Sequence, residues 1–297
     1  MRVFMTGSTG WIGSATVDEL LSSGHEVLGL ARSEASASRL GMKGADALRG
    51  DLDDLDSLRR GASVADAVVH LGNKHDWADP AGSNRTERAA VEAMLDTIAG
   101  STKPFMIANG LSGITDGRMV LETDVSPEVG PDADRGGSEN LVLDSAVRGI
   151  RSIAIRFAPS VHGRGDRGFV NWLTAAARRT GVSGYIGDGS TTWSAVHVTD
   201  AARLIRLGLE SAPAGTRLHA VAEQSITTRV IAEAVGTALD LPVTSVAPAD
   251  ADTHFGVVGG FFGLSMTGSA QATRALTQWE PTGPTLLEDI ADGAYTD

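Results

Sequence analysis

The sequence predicts an α/β chain: a doubly wound parallel sheet in the first half and a smaller carboxy-terminal α/β lobe. Three observations predict it. Short apolar runs alternate with helical patterns through the first half. Those runs carry little polar interruption, as strands covered by helices on both faces do. A glycine-rich turn joins the first run to the first helical pattern.

The elements follow in order. "RVFMTG" is a buried strand, and residues 11–23 form a helix with Val17, Leu20 and Leu21 on one face. "EVLGLA" (26–31) is the next strand. "ADAVVHLG" (65–72), "KPFMIANG" (103–110) and "SIAIRF" (152–157) follow, each after a helical segment. The second half is less regular. Pro159 and the stretches 162–168 and 184–192 are rich in turn residues, and helical patterns return at 200–210 and 227–239. The glycine-rich "FGVVGGFFGL" (255–264) is expected to be a loop. A boundary near residue 158 separates a unit over 1–157 from a lobe over 158–297, with 193–210 returning to the first unit.

Composition narrows the partners. The chain has 297 residues, 42% apolar, enough for a large core. A net charge of −12 argues against nucleic acid or an anionic membrane as partner. Cysteine is absent, which excludes disulfides and thiolate metal sites. The histidines lack metal-ligand spacing, so no metal is expected. No apolar stretch approaches the ~18 residues of a membrane span, and "MRVFMTG" shows no signal pattern. A soluble cytoplasmic protein with a small-molecule substrate is expected.

The turn after the first strand is the strongest motif. Gly7, Gly10 and Gly13 are spaced G-x-x-G-x-x-G, with Ser8, Thr9, Trp11 and Ile12 between them. Glycines there let the backbone turn tightly and let a diphosphate approach. The following helix offers unpaired N–H groups and a partial positive charge. A glycine-rich turn without a ligand is the bland alternative.

"TGSTGWIG" resembles the cofactor motif of the extended and atypical short-chain dehydrogenase/reductases, the NAD-dependent epimerase/dehydratase-like group. The likeness continues in "ARS", "GDLDD" (50–54), "VVHLG" (68–72), "RFAPSVHG" (156–163), "WSAVHVTDAARL" (193–204) and "QWEP" (278–281), nearly the whole chain. It implies a Rossmann-type domain binding NAD(H) or NADP(H), with the smaller lobe over the nicotinamide. It places Asp51 and Leu52 at the adenine, and Leu71, Gly72 and Asn73 beside the ribose and diphosphate. Ala108 and Asn109 belong to the same wall, and Phe157, Ala158, Pro159 and Val161 pass the nicotinamide. Asp51 also suits a helix cap, since "DLDDLDSLRR" opens a helix.

NAD-binding folds usually place an acid at the end of strand two. This strand ends instead in Arg32 and Ser33. A guanidinium grips a 2′-phosphate with two hydrogen bonds, so NADP(H) is expected over NAD(H). The alternative is a solvated surface arginine.

The resemblance implies a catalytic tyrosine, a lysine four residues later, an upstream serine or threonine, and an asparagine. The register set by Glu139 and Arg156 puts the tyrosine at Pro131 and the lysine at Arg135. The serine falls at Asn109 or Gly110, with Ser112 slightly beyond, and the asparagine at Glu87. None of the four is clearly kept, as in an atypical subgroup of that family. Proline has no proton to give, and arginine stays charged.

Replacement donors are Ser112, Tyr185 and His75. Each has a plainer reading: a turn serine, an aromatic packed under a hairpin, a solvated loop histidine. Tyr295 is expected to pack or to be disordered in the tail, and His162 and His197 to pack or touch cofactor. Trp77, Trp172, Trp193, Phe255, Phe261 and Phe262 are candidate pocket walls, with 255–264 as a lid. Few basic residues lie there, so an apolar acceptor is favoured over a phosphorylated one. The expected activity is NADP(H)-dependent reduction of a small, mainly apolar carbonyl, imine or enone, with a non-standard proton donor. Alternatives are a non-catalytic NADP(H)-binding redox sensor, or an epimerase or dehydratase using the cofactor transiently. A homodimer through helices near 84–99 and 137–149 would fit the resemblance.

Overall fold

The computed structural model describes residues 1–74, 76 and 78–296. Strands β1 (Arg2–Thr6), β2 (Glu26–Ala31), β3 (Asp46–Arg49), β4 (Ala67–His70), β5 (Pro104–Gly110) and β6 (Arg151–Phe157) alternate with helices α1 (Trp11–Ser22), α2 (Glu34–Lys43), α3 (Leu55–Val64), α4 (Pro80–Ile98) and α5 (Ser138–Asp144). Then come β7 (Ser160–His162), α6 (Phe169–Thr180), β8 (Ser183–Ile186), β9 (Thr192–His197), α7 (Val198–Ser211), β10 (Thr216–Ala220), β11 (Glu223–Thr227), α8 (Thr228–Leu239) and β12 (Val243–Val246). Short helices α9 (Ala251–Phe255), α10 (Val258–Phe262), α11 (Gln271–Thr277) and α12 (Leu286–Ala291) complete the chain.

Among the described residues, seven parallel strands form the main sheet, in the order β10-β6-β5-β4-β1-β2-β3. The order reverses between β1 and β4. At such a switch point the crossover helices leave on opposite faces and open a crevice at the carboxyl ends of the strands. Alternation along β1 feeds both faces: Val3 and Met5 join Val17 and Leu20 of α1 in one layer. Phe4 joins Leu58 of α3 and Val91 of α4 in the other. Each fully buried aliphatic side chain contributes about 1.5–3 kcal/mol relative to exposure. A third core, around Trp193, Ile231, Phe255 and Phe262, belongs to the lobe. There β11-β9-β7 and β12-β8 make two small sheets.

Several expectations meet a different outcome. Of the segment 193–210, only the helical part returns to the first unit: α7 packs beside α1, while β9 stays in the lobe's sheet. β10 is the further segment that crosses back, as the edge strand beside β6. β3 went unpredicted because "DALR" is short and mostly exposed, without an apolar run. Residues 255–264 are not a plain loop. Phe255, Val258 and Phe262 recur at helical spacing and bury one face of α9 and α10 in the lobe's core. Gly256, at φ +68°, makes the break between the two helices.

Glu139 and Arg156 form a buried ion pair between α5 and β6. Arg156 is fully buried and donates to Glu139 from Nη2 at 2.6 Å and from Nε at 3.1 Å. Arg217 and Asn109 donate to the same carboxylate. Burial alone would raise the Glu139 pKa, but Arg156 and the other donors outweigh it and hold the carboxyl below its usual range. Arg156→Met would leave this carboxylate buried without its main counter-charge. Urea denaturation should show a loss of about 3–5 kcal/mol. The double variant with Glu139→Leu should lose less than Arg156→Met alone.

Candidate active site

The loop between β1 and α1 builds an anion cradle. Gly7 has φ +67°, and a Cβ there would meet the Leu71 carbonyl carbon at 2.7 Å. A Cβ on Gly13 would stand 2.1 Å from the Gly7 oxygen. Backbone cannot yield at such distances, so this approach of α1 to β1 and β4 requires glycine. Gly10 caps α1 without a side-chain hydrogen bond, and the first turn holds no acid. The N–H groups at this helix start are therefore left for an anion. Those features fit the diphosphate of a dinucleotide.

From the cradle runs a cleft of about 840 Å³. Its walls include Gly7, Thr9, Gly10, Trp11, Ile12 and Gly13 from the turn, and Arg32, Asp51 and Leu52 from the ends of β2 and β3. Leu71, Gly72, Asn73, Ala108, Asn109, Phe157, Ala158, Pro159 and Val161 continue it toward the lobe. Two expected residues do not line it. Ser8 is buried and donates to the Leu30 carbonyl, and Ser33 accepts from Ser36 N as the cap of α2. The cap of α3 is Asp54, not Asp51. Trp11 donates from Nε1 to the Val161 carbonyl at 2.7 Å, tying the cradle to the strand that enters the lobe.

At the β2 end, Arg32 is joined by Ser36 and Arg39 of α2. Among the described residues the Arg32 guanidinium has no hydrogen-bond partner, and Arg39 bonds only the Ser36 hydroxyl, at 3.3 Å. No carboxylate among the described residues pairs with either. The sequence reading missed Ser36 and Arg39, although their three-residue spacing sets them on one face of a helix starting beside Arg32.

At the opposite end, Leu111, Ser112, Asp166, Arg167, Phe169, Trp172, Phe261 and Met266 complete the walls. Phe169 stacks on Phe261 at 4.9 Å and leans on Trp172 at 5.7 Å. Trp193, Phe255 and Phe262 are buried core instead of pocket wall. His75 and Trp77 lie outside the described residues. Ser112 reaches the cleft, but Tyr185 is not among its described walls: it sits in β8 with the Arg229 guanidinium 5.4 Å above its ring. Tyr295 is ordered and buried, its hydroxyl donating to Asp166 at 2.9 Å. Burial raises the Asp166 pKa. His162 is buried against Asp289, 2.6 Å away, and His197 bonds Thr199; neither is a described wall of the cleft.

The tetrad positions hold an ion pair. Arg135 lines the cleft and grips Glu87 of α4 through Nη2 at 2.6 Å and Nε at 3.1 Å, while Asn73 donates to the same carboxylate at 2.5 Å. Arg135, Gly136 and Gly137 all have left-handed backbone angles. A non-glycine residue held there costs on the order of 1–3 kcal/mol. Pro131 stands in the exposed loop before this turn. The sequence reading shows Arg135 only as a replaced lysine; the pattern "RGG" is the signal for its unusual backbone. No group of three metal-ligating side chains occurs among the described residues.

A parallel α/β sheet with a glycine cradle at its switch point is the architecture of the Rossmann-type α/β proteins. The model of the NAD dependent epimerase/dehydratase family matches residues 3–104. The chain is 40% identical over 296 residues to uncharacterized protein YLL056C of Saccharomyces cerevisiae, covering 98% of each. It is 26% identical to 4-hydroxy-2-methyl-3-oxo-4-farnesyl-3,4-dihydroquinoline-1-oxide ketoreductase of Stigmatella aurantiaca, covering 72% of this chain and 66% of that one. Among solved structures, the dTDP-glucose 4,6-dehydratase DesIV of Streptomyces venezuelae, with NAD and TYD bound, superposes with a TM-score of 0.78 at 20% identity, over 99% of this chain and 96% of that one. The chain belongs to the NAD-dependent epimerase/dehydratase family.

Beneath the cleft, His70 is fully buried and bonded to Thr6 Oγ1 at 2.8 Å. Burial lowers its pKa to about 4; Glu87 opposes the shift and Arg135 adds to it. The folded state thus binds the proton less tightly than the unfolded chain, whose histidine titrates near 6.5. Stability should be full above pH ~6.5 and fall by on the order of 3 kcal/mol as pH drops toward 4. Urea midpoints across that range should fall less steeply for His70→Asn.

Proposed function

We propose that this protein is an NADP(H)-dependent oxidoreductase that reduces a small, mainly apolar carbonyl compound. One observation carries the reading: a single cleft joins the glycine cradle to an aromatic pocket, with unpaired arginines at its β2 end. Bound reduced nicotinamide supplies a hydride to a carbonyl carbon. The chain does the rest. The cradle N–H groups hold the diphosphate. Arg32 and Arg39 meet the 2′-phosphate, and the Ser36 hydroxyl stands beside them. Phe169, Trp172, Phe261 and Met266 enclose an apolar acceptor and exclude water from it. The name of the Stigmatella relative, a ketoreductase, agrees with carbonyl reduction.

Thermal shift with NADP⁺, NADPH, NAD⁺ and NADH should show the largest rise for the phosphorylated pair. NADPH oxidation should then be seen with ketones or aldehydes bearing apolar groups. Tight binding without turnover on ketones, aldehydes, enones or imines would convert the reading to a redox sensor. Arg32→Asp should weaken NADPH by about 10–100-fold, because a hydrogen bond to a charged group contributes about 1.5–3 kcal/mol. NADH affinity should stay within about threefold. Calorimetry that finds NADPH unaffected would remove the phosphate assignment.

A further inference from the structure

We propose that Arg135 is the group that binds the carbonyl oxygen of the substrate, as a fixed cation that gives up no proton. The inference rests on the reduction reading above. Pro131 holds no hydroxyl, and Tyr185 is not a described wall of the cleft. Arg135 does line the cleft, and it also lines a small hollow together with Asn109. Its Nε and Nη2 are taken by Glu87, which is 1% exposed. Nη1 has no partner among the described residues, and the side chain is 30% exposed. A guanidinium clamped on one edge presents its other edge in a fixed direction.

The backbone supports that aim. Arg135 has φ +53°, where arginine is seldom found. Asn84 Oδ1 accepts from Arg135 N at 3.0 Å, and Arg88 donates to the Gly136 carbonyl at 3.1 Å. A left-handed residue held from several sides is what a positioned functional group requires. The carboxylate paired with the guanidinium is Glu87 on α4; Glu128, Asp134 and Glu139 line the same small hollow, and beyond Glu87 lies His70 on β4, which its low pKa keeps neutral.

The balance is simple. The carbonyl carbon gains a hydride with its electron pair, and the C=O π pair moves to oxygen. Arg135 stabilises that negative oxygen through hydrogen bonds and charge. Water supplies the proton that completes the alcohol and leaves as hydroxide, and the guanidinium keeps its own.

Two measurements test this. Benzoate added to the NADP⁺ complex serves as a stable oxyanion probe, read by melting temperature. Wild type should show a further rise with benzoate. Arg135→Gln should keep the NADP⁺ shift, lose the benzoate shift, and lose 10²–10³-fold in kcat/KM for carbonyl reduction. Arg135→Lys should fall between the two. Should Arg135→Gln fail to fold, Arg135→Lys decides: the site stands if kcat/KM drops about tenfold or more with NADPH affinity unchanged. Either variant acting like wild type in both assays overturns the assignment. Wild type that binds NADPH and benzoate but reduces no carbonyl sinks the reduction reading while the anion site stands.

Discussion

The carboxylate of Glu139 is the tie on which the cleft depends. It receives Arg156 from β6, Arg217 from β10 and Asn109 from the end of β5. Three neighbouring strands are thereby fixed to the start of α5. Arg156 also donates to the Asp124 carbonyl, which pins the long loop between β5 and α5. Burying such a group is expensive, and a well-packed apolar replacement would cost the fold less. What the ions give that hydrocarbon does not is direction. Each donor on Glu139 has a fixed angle, so Asn109 is held at the cleft wall by the network that holds the sheet edge.

Charge is distributed against the chain's average. The protein carries −12 overall, yet Arg32, Arg39, Lys74, Arg135 and Arg167 all reach the cleft. Two of these are answered by carboxylates: Lys74 by Asp53 and Arg135 by Glu87. Arg32, Arg39 and Arg167 have no carboxylate partner among the described residues. A concave positive wall within an acidic surface concentrates field lines, and so favours a polyanionic ligand over the many smaller anions in solution.

The sheet was legible because its signals are local. Five strand-like apolar runs are visible in windows of about ten residues, and all five are strands of the sheet: β1, β2, β4, β5 and β6. The cradle was legible for the same reason: Gly7, Gly10 and Gly13 lie within seven residues. What failed needed long-range information. β10 joins the main sheet 59 residues after β6 ends, and its "TRLHA" carries no mark of that destination. Whether an aromatic lines a pocket or fills a core depends on which partner arrives. Phe261 lines the cleft while the adjacent Phe262 is fully buried, because neighbours on a helix point about 100° apart. The substitution of Arg135 for lysine was visible in sequence, but its clamp by Glu87, 48 residues earlier, was not.

The stretch "RGG" gives the role proposed for that clamp a second support, from the backbone. A Cβ on Gly136 would stand 2.6 Å from the Asn84 carbonyl oxygen, and one on Gly137 2.8 Å from Gly130 N. Both positions also have positive φ, so they require glycine twice over. Arg135 shares the same left-handed backbone without that excuse. Glycine there would relieve the strain and lose the guanidinium. The fold tolerates a strained residue where a less strained one would suffice for structure. Strain retained at a cleft wall, beside a buried carboxylate that pairs with no other cation among the described residues, fits a side chain needed for something the backbone alone cannot do.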